Sequence, residues 1–408
     1  MLEQAGAMPE RHSERNADVL IVGAGIAGLS LAIALSKSDL NVVVIDGADR
    51  PKPVNEGVAL DDWDLRVSAL TPTSIHFLES LGVWQKIPNE RTAPYESMCV
   101  WDADGTGRIT FNAADIGTSY LGHIVENRQT VQALIECVEA CSRVELRWHS
   151  ALESMARRSD GWSVHCAGEQ CFSVQLVVAA DGARSKVRQL TALPTRDWDY
   201  HQSAIVGTVA LSSPHQQTCW QAFLNSGPLA LLPLPDPAKV ALVWSLDERD
   251  HAEVAALSDT AFVHALNCAL GPLAPQAEAV GARLSFPLRQ SHAIDYVDEA
   301  LVLVADAAHS IHPLAGQGIN LGLSDVRILA QELLAGCASG LTVASAVSLK
   351  RYQRQRKSEN LAMMAAMEGF KRGFGSLHPV AVILRNVGLN VVERQRWLKR
   401  WFMRQAIN

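Results

Sequence analysis

One short stretch limits the fold more than any other: Gly23-Ala24-Gly25-Ile26-Ala27-Gly28, preceded by Asp18 to Val22 and followed by Leu29 to Ser36. The apolar, β-branched residues before it read as a buried strand and the residues after it as a helix, so the glycines fall on a strand-to-helix turn. Gly23 allows the tight turn, Gly25 lets backbone N–H groups approach a pyrophosphate, and Gly28 permits close packing of helix on strand. The helix N-terminus then faces the phosphates with its partial positive charge. A second apolar run, Asn41 to Ile45, ends at Asp46, which is placed to accept hydrogen bonds from an adenosine ribose. Together these make a βαβ dinucleotide-binding unit, although the fingerprint alone does not separate FAD from NAD.

The remainder is too long for one ordinary core. At 408 residues, 48% hydrophobic and 19% charged, two or three domains are expected. A net charge of −7 supplies no global attraction for nucleic acid. No uncharged apolar run reaches the roughly 18 residues of a spanning helix. The first 17 residues carry Glu3, Glu10 and Glu14 without an apolar core, so neither a secretory signal nor a transit peptide is expected, and a cytoplasmic chain is. Eight scattered cysteines fit free thiols in a reducing compartment better than a disulfide framework.

Short β-like runs occupy 97–125, Arg128 to Ala140 reads helical, and alternation dominates from Val144 to Val178. Strands continue through 203–245, punctuated by Pro233, Pro235 and Pro237, as a second sheet inserted into the nucleotide-binding architecture. Leu301 to Ala305 returns to a buried parallel-type strand, and the chain after Leu323 is largely helical. Two further motifs lie at strand ends. Ala180-Asp181-Gly182-Ala183-Arg184-Ser185 follows Leu176 to Ala179 and suits a loop near phosphate or ribose, or simply a strand end with a basic helix after it. The other runs from Ala305-Asp306 through His309, His312, Pro313, Gly316, Gln317, Gly318, Ile319, Asn320 and Gly322 to Asp325. Its turn can bring the N–H groups of Gly318 and Ile319, with the following helix dipole, onto a ring that gains negative charge on reduction.

In this order and at these separations the three motifs resemble the single-component, class A aromatic hydroxylases that carry FAD. Asp64-Leu65-Arg66-Val67-Ser68-Ala69-Leu70, Leu121 to Arg128 and Gly316 to Gly322 further resemble the ubiquinone-biosynthesis branch, the polyprenylphenol hydroxylases, over about residues 17 to 408. The resemblance implies an α/β fold like that of p-hydroxybenzoate hydroxylase: a Rossmann-like FAD-binding βαβ domain, an inserted and mainly β substrate domain, and a helical C-terminal region. Its boundaries here would be a polar lead at 1–17, FAD-binding parts at 18–96, 126–194 and 298–340, substrate parts at 97–125 and 195–297, and C-terminal helices at 341–408.

By the same resemblance Gly23, Gly25, Gly28 and Asp46 hold the ADP half of FAD, and Arg66 and Arg128 neutralise the pyrophosphate region. Asp181 and Gly182 form the second nucleotide-associated motif, Asp306 binds the ribityl chain, and Pro313, Gly316, Gln317, Gly318, Ile319 and Asn320 lie along the flavin ring. NAD(P)H visits transiently to reduce FAD, O2 adds to give a flavin C4a-hydroperoxide, and one oxygen passes to the ring of a polyprenyl phenol. A ubiquinone-biosynthesis complex and a peripheral contact with the inner membrane would follow; oligomeric state is not indicated. One departure is visible: Ala305 replaces the usual glycine before the third acid, which is tolerable if its φ is negative.

Competing local readings are weaker. Asp306, His309 and His312 lack a third nitrogen or sulfur ligand at zinc spacing, and Cys166 and Cys171 read as ordinary thiols on a hairpin. His76 and His123 are candidates for deprotonating the substrate, but lone histidines are more often structural. Phe223, Leu229, Leu231, Leu232 and Trp244 belong mostly to a core, with a subset able to line a tunnel for an isoprenoid tail. From Lys350 to Asn408, thirteen Lys and Arg stand against three Asp and Glu. Two explanations stay open. Trp397, Leu398, Trp401 and Phe402 dip into an anionic bilayer while Arg394, Lys399, Arg400 and Arg404 touch headgroups, or the aromatics pack on the protein itself. Two other functions are compatible with the motifs: hydroxylation of a small soluble aromatic compound, and a non-catalytic flavin-binding scaffold.

Overall fold

The computed structural model describes residues 15–53, 57–168, 170–310, 318–375 and 379–406. The first of two eight-stranded sheets contains β1 (Arg15–Val22), β2 (Val42–Ile45), β8 (Val144–Arg147), β9 (Leu152–Arg158), β10 (Gly161–Cys166), β11 (Gln170–Ala179), β17 (Val297–Asp298) and β18 (Leu301–Leu303). Its order is β17-β18-β11-β1-β2-β8, with β10 and then β9 added alongside β11. From β18 to β8 the pairings are parallel. Val19 to Val22, all of β2, Leu176 to Ala179 and all of β18 are buried, as strands covered on both faces must be. β1 begins at Arg15, inside the expected polar lead, because Arg15 and Asn16 extend the backbone ladder with Phe172 and Ser173 of the long β11.

Helix α1 (Ile26–Leu35) is buried along nearly its whole length and packs against α3 (Asn127–Glu139) and α7 (Gly318–Ala338). The hairpin of β10 and β11 sets His165 opposite Cys171 and Cys166 opposite Gln170, and all eight cysteines are free thiols.

The second large sheet orders β19-β16-β12-β15-β14-β13-β5-β6. Its strands are β5 (Ser97–Asp102), β6 (Arg108–Asn112), β12 (Thr195–Leu211), β13 (Thr218–Leu224), β14 (Gly227–Pro233), β15 (Lys239–Asp247), β16 (Ala277–Ala293) and β19 (His309–Ser310). Leu229, Leu231 and Trp244 form a core with Phe262 and Leu266 of α6 (Asp259–Leu270), which follows α5 (Glu248–Ala255). Leu232 joins a separate cluster, and Phe223 stacks on Phe374 with ring centroids 4.0 Å apart.

Residues 97–125 divide between two sheets. β5 and β6 join the large one, whereas β7 (Gly122–Glu126) pairs with β3 (Val67–Leu70) and β4 (Thr92–Tyr95). α2 (Pro72–Ser80) follows β3, capped by Thr71, and α4 (Lys186–Leu190) follows β11. The chain ends in α8 (Ala346–Gly375), α9 (Pro379–Arg394) and α10 (Arg396–Ala406). α8 packs on α7, and α9 lies against β6.

Candidate functional site

Val22, Ala179 and Leu303 are register partners across β1, β11 and β18, so the three motifs leave the sheet from one row. Neighbouring strands lie about 4.8 Å apart. Motifs spread over three hundred residues of sequence therefore begin side by side at the carboxyl edge of a parallel sheet, where open α/β folds bind ligands.

At the first turn Gly23 has φ +109°, and a Cβ there would stand 2.4 Å from the Ala180 carbonyl oxygen. A Cβ at Gly28 would meet the Gly23 oxygen at 2.0 Å, while one at Gly25 would meet nothing within 4 Å. Gly23 and Gly28 are thus required by the protein's own packing, and Gly25 borders open space. The Gly25 N-cap supplies no side-chain hydrogen bond and the first turn of α1 holds no acid, so its free N–H groups and dipole are available to an anion. Asp46 accepts from the Ala24 N–H and the Ala48 N–H, each at 2.8 Å, and so ties the end of β2 to the glycine turn.

The second turn has a structural side that its sequence shows only in part. Oδ2 of Asp181 accepts the N–H groups of Lys186 at 2.7 Å and Val187 at 3.2 Å, capping α4, while Oδ1 is buried without a partner. Gly182 takes φ +79°. Arg188 reaches out of α4 to donate to the carbonyls of Ala183 and Ala307, both at 2.7 Å, latching the second turn onto the third.

The third turn corrects an expectation. Ala305 has φ +52°, not a negative value, so its methyl stands in the left-handed region. Its N–H donates at 3.0 Å to Asp325, a fully buried carboxylate one helix away. Asp325 also bonds the His309 ring and accepts from Arg356 Nε at 2.8 Å and Asn360 Nδ2 at 3.2 Å. Burial opposes its charge, yet His309 and Arg356 draw its carboxyl below the usual range. The sequence contained Asp325 at the end of the third motif, but its partners on α8 carried no signal there.

Asp306 is open to solvent yet ringed by protein. Burial raises its carboxyl above the ordinary value against the pull of His309 and Arg66. Asn320 spends its amide on the protein, accepting from Thr71 N–H at 3.0 Å and donating to Ala69 carbonyl at 2.8 Å. It clasps the start of α7 to β3. Gly318 and Ile319 open α7 beside it. His312, Pro313, Gly316 and Gln317 lie outside the described residues.

Arg66 and Arg128 are brought together by Asp64. Its carboxylate accepts the Arg66 N–H at 3.2 Å and the Arg128 N–H at 3.0 Å, and stands 3.5 Å from the Arg128 guanidinium. Asp64 is held in turn by Glu126, which takes its N–H at 2.6 Å and Arg91 at 2.9 Å. Both arginine head groups remain exposed to solvent. His76 lies exposed on α2, lining a surface depression with Lys37 and Arg327. His123 packs edge-on against Trp84 and Tyr120, and burial pushes its pKa down to about 4.

The residues fit FAD: an open phosphate cradle at Gly25, an orphaned buried oxygen on Asp181 and a solvent-facing acid at Asp306 share one sheet edge. Residues 16–366 match the family described as FAD binding domain. The chain belongs to this family and is an FAD-dependent monooxygenase of the ubiquinone-hydroxylase type. It is 36% identical to the 3-demethoxyubiquinol 3-hydroxylase of Escherichia coli, over 96% of this chain and 98% of that one. It is 33% identical to the human mitochondrial ubiquinone biosynthesis monooxygenase COQ6, over 95% and 91% of the two chains. Among solved structures the fold resembles p-nitrophenol 4-monooxygenase PnpA from Pseudomonas putida DLL-E4, with TM-score 0.76, 19% identity, and 97% and 99% of the chains covered.

Proposed function

We propose that this protein hydroxylates the aromatic ring of a polyprenylated phenol in ubiquinone biosynthesis, with NAD(P)H and O2 as co-substrates. The observation that carries the reading is the common row of Val22, Ala179 and Leu303, which puts an anion cradle, Asp181 and Asp306 within reach of one extended cofactor. Likeness to two ubiquinone-pathway hydroxylases over nearly the whole chain supports the substrate class.

Bound FAD supplies the electron transfer and oxygen activation. The chain's own part is positioning and electrostatics. The α1 N-terminus and Gly25 receive the diphosphate, with Arg66 and Arg128 balancing its charge. Asp46 keeps the glycine turn in shape and offers its outer edge to the ribose. Asp306 would accept hydrogen bonds from hydroxyl groups of the ribityl chain, and the α7 N-terminus, held by the Asn320 clasp, would offer its positive end to the charge of a reduced ring. The sequence holds a single GxGxxG turn, consistent with NAD(P)H visiting rather than residing. A biosynthetic complex and a peripheral membrane contact belong to the same proposal, supported by the basic C-terminal tail.

The test is direct. Purified protein should retain FAD and oxidise NADPH faster with a prenylated phenol than with soluble aromatic acids. A deletion strain should accumulate the corresponding prenylated precursor by mass spectrometry. Preference for soluble aromatics would move the assignment to small-substrate hydroxylases, and flavin binding without NADPH-dependent reduction would make the chain a scaffold.

A further inference from the structure

Among the described residues, the outer face of the last two helices is used by none of the sheets or turns above. α10 leans on the body through Met403, 3% exposed, and through Lys399, whose ammonium lies 3.3 Å from both Asp115 and Glu393. At about 100° per residue, Trp397 and Trp401 point away from those two anchors. They are 69% and 53% exposed. Arg400 and Arg404 flank this indole ridge on one side, and Leu398 and Phe402 on the other. α9 continues the face with exposed Val387, Val391 and Arg394, at helical spacing.

Two properties select the occupant. From Arg385 to Arg404 the only acid is Glu393, which is engaged by Lys399 and the Thr110 N–H. Among the described residues Arg394, Arg400 and Arg404 therefore have no acid beside them on these helices. Indoles bordered by arginines match a headgroup layer, where the rings lie at the interface and the cations meet phosphate. No helix among the described residues is long and apolar enough to cross a membrane, so the contact is peripheral.

The face is also rigidly mounted. Buried Asp102 of β5 accepts Arg385 Nε at 2.7 Å and Nη2 at 3.0 Å, and Asn386 Nδ2 at 2.7 Å. Asn386 in turn accepts the Gly107 N–H, and a Cβ at Gly105 would collide with its side chain at 2.2 Å. This clasp holds α9 against the hairpin of β5 and β6, the outer edge of the second sheet. We infer that the α9–α10 face seats on an anionic lipid bilayer, with Trp397, Trp401 and Phe402 at headgroup depth, and holds that sheet edge at the membrane surface. The inference deepens the proposed function, because a polyprenylated phenol is dissolved in that bilayer.

Flotation of the flavin-loaded, full-length protein tests it. The probes are vesicles of phosphatidylcholine alone and of three parts phosphatidylcholine to one part phosphatidylglycerol. Wild type should float with the anionic vesicles and lose that preference at high salt. Trp397→Ser/Trp401→Ser should weaken partitioning by more than about tenfold. Arg394→Gln/Arg400→Gln/Arg404→Gln should lose about fivefold per arginine, on the order of 100-fold together. Both variants should keep wild-type flavin content and turnover of a short-chain phenol in solution, but lose turnover of the long-chain substrate in vesicles. Equal flotation of variants and wild type would overturn the inference. So would self-association that the tryptophan substitutions abolish without any vesicle binding, which would make this face an interface between copies. Flotation with no turnover of either phenol would leave the docking face standing and defeat the substrate assignment instead.

Discussion

The turns after β1 and β18 leave the sheet from the same row, yet they are held in unlike ways. The first is built by omission: Gly23 and Gly28 lack the atoms that would strike Ala180 and Gly23 itself, and Asp46 adds one local tie. The second is built by a buried charge cluster, in which Asp325 restrains the left-handed Ala305 from α7 while Arg356 and Asn360 of α8 restrain Asp325. One turn depends on close backbone approaches, of Gly23 to Ala180 and of Gly28 to Gly23, and the other on ions gathered from three elements. Damage at the first should stay local, whereas damage at the second should spread.

The largest effect is therefore expected from Asp325→Ala, which strands Arg356 without its buried counter-charge and should cost about 3–5 kcal/mol. Denaturant melts would measure it, and flavin should be lost during purification. A variant melting like wild type would erase the contrast. Asp325→Asn keeps an acceptor for the Ala305 N–H and should cost less.

Within the glycine turn two substitutions separate packing from binding. Gly28→Ala places a methyl 2.0 Å from the Gly23 oxygen. Overpacking of that kind costs roughly 1–3 kcal/mol in flavin-free protein. Gly25→Ala meets nothing within 4 Å. It should leave the flavin-free melt within about 0.5 kcal/mol of wild type, as an uncrowded surface change does, while weakening FAD binding in a fluorescence titration. Equal stability losses from the two would contradict the assignment of Gly25 to the ligand side.

Acid should act on the charged end more than on the glycine end. His292 bonds Tyr296 at 3.0 Å in the layer that also contains His309. Burial, with His309, Lys357 and Arg196 adding to it, pushes its pKa down to about 4 from the ordinary 6.5. Between those values the unfolded chain takes up a proton that the native one refuses, so stability falls as pH drops through the window and is unaffected above it. His292→Gln should flatten the decline in melting temperature from neutral pH towards pH about 5.

A small gain rather than a loss is expected at Ala305. Its left-handed backbone carries about 1 kcal/mol of strain, part of which the added freedom of an unfolded glycine offsets. Ala305→Gly should raise stability by only a few tenths of a kcal/mol, read from paired melts. A loss instead would show that the methyl packs usefully against Gly322.

Much of the nucleotide unit was legible because its constraints are local. Gly23, Gly25, Gly28 and Asp46 span one strand, one turn and one helix, and at Gly23 and Gly28 a side chain is excluded by sterics alone. The third motif was legible only in outline. Nothing in the sequence marks Asn320 as the partner of the Ala69 carbonyl and the Thr71 N–H, at the end of β3 and the start of α2. Arg188 and Asp64 showed no sign of acting as latches, since their partners lie on other elements.

Taken by itself, the amino-acid order determined the βαβ unit, the buried parallel strands and the excess of positive charge near the C-terminus, each a matter of composition, spacing or steric exclusion over a few residues. Tertiary structure decided the sign of φ at Ala305, the meeting of Asp325 with Arg356, the division of 97–125 between two sheets and the outward aim of Trp397 and Trp401. Those outcomes depend on which surfaces are removed from water together, and burial and ion pairing take their values only once distant elements have packed.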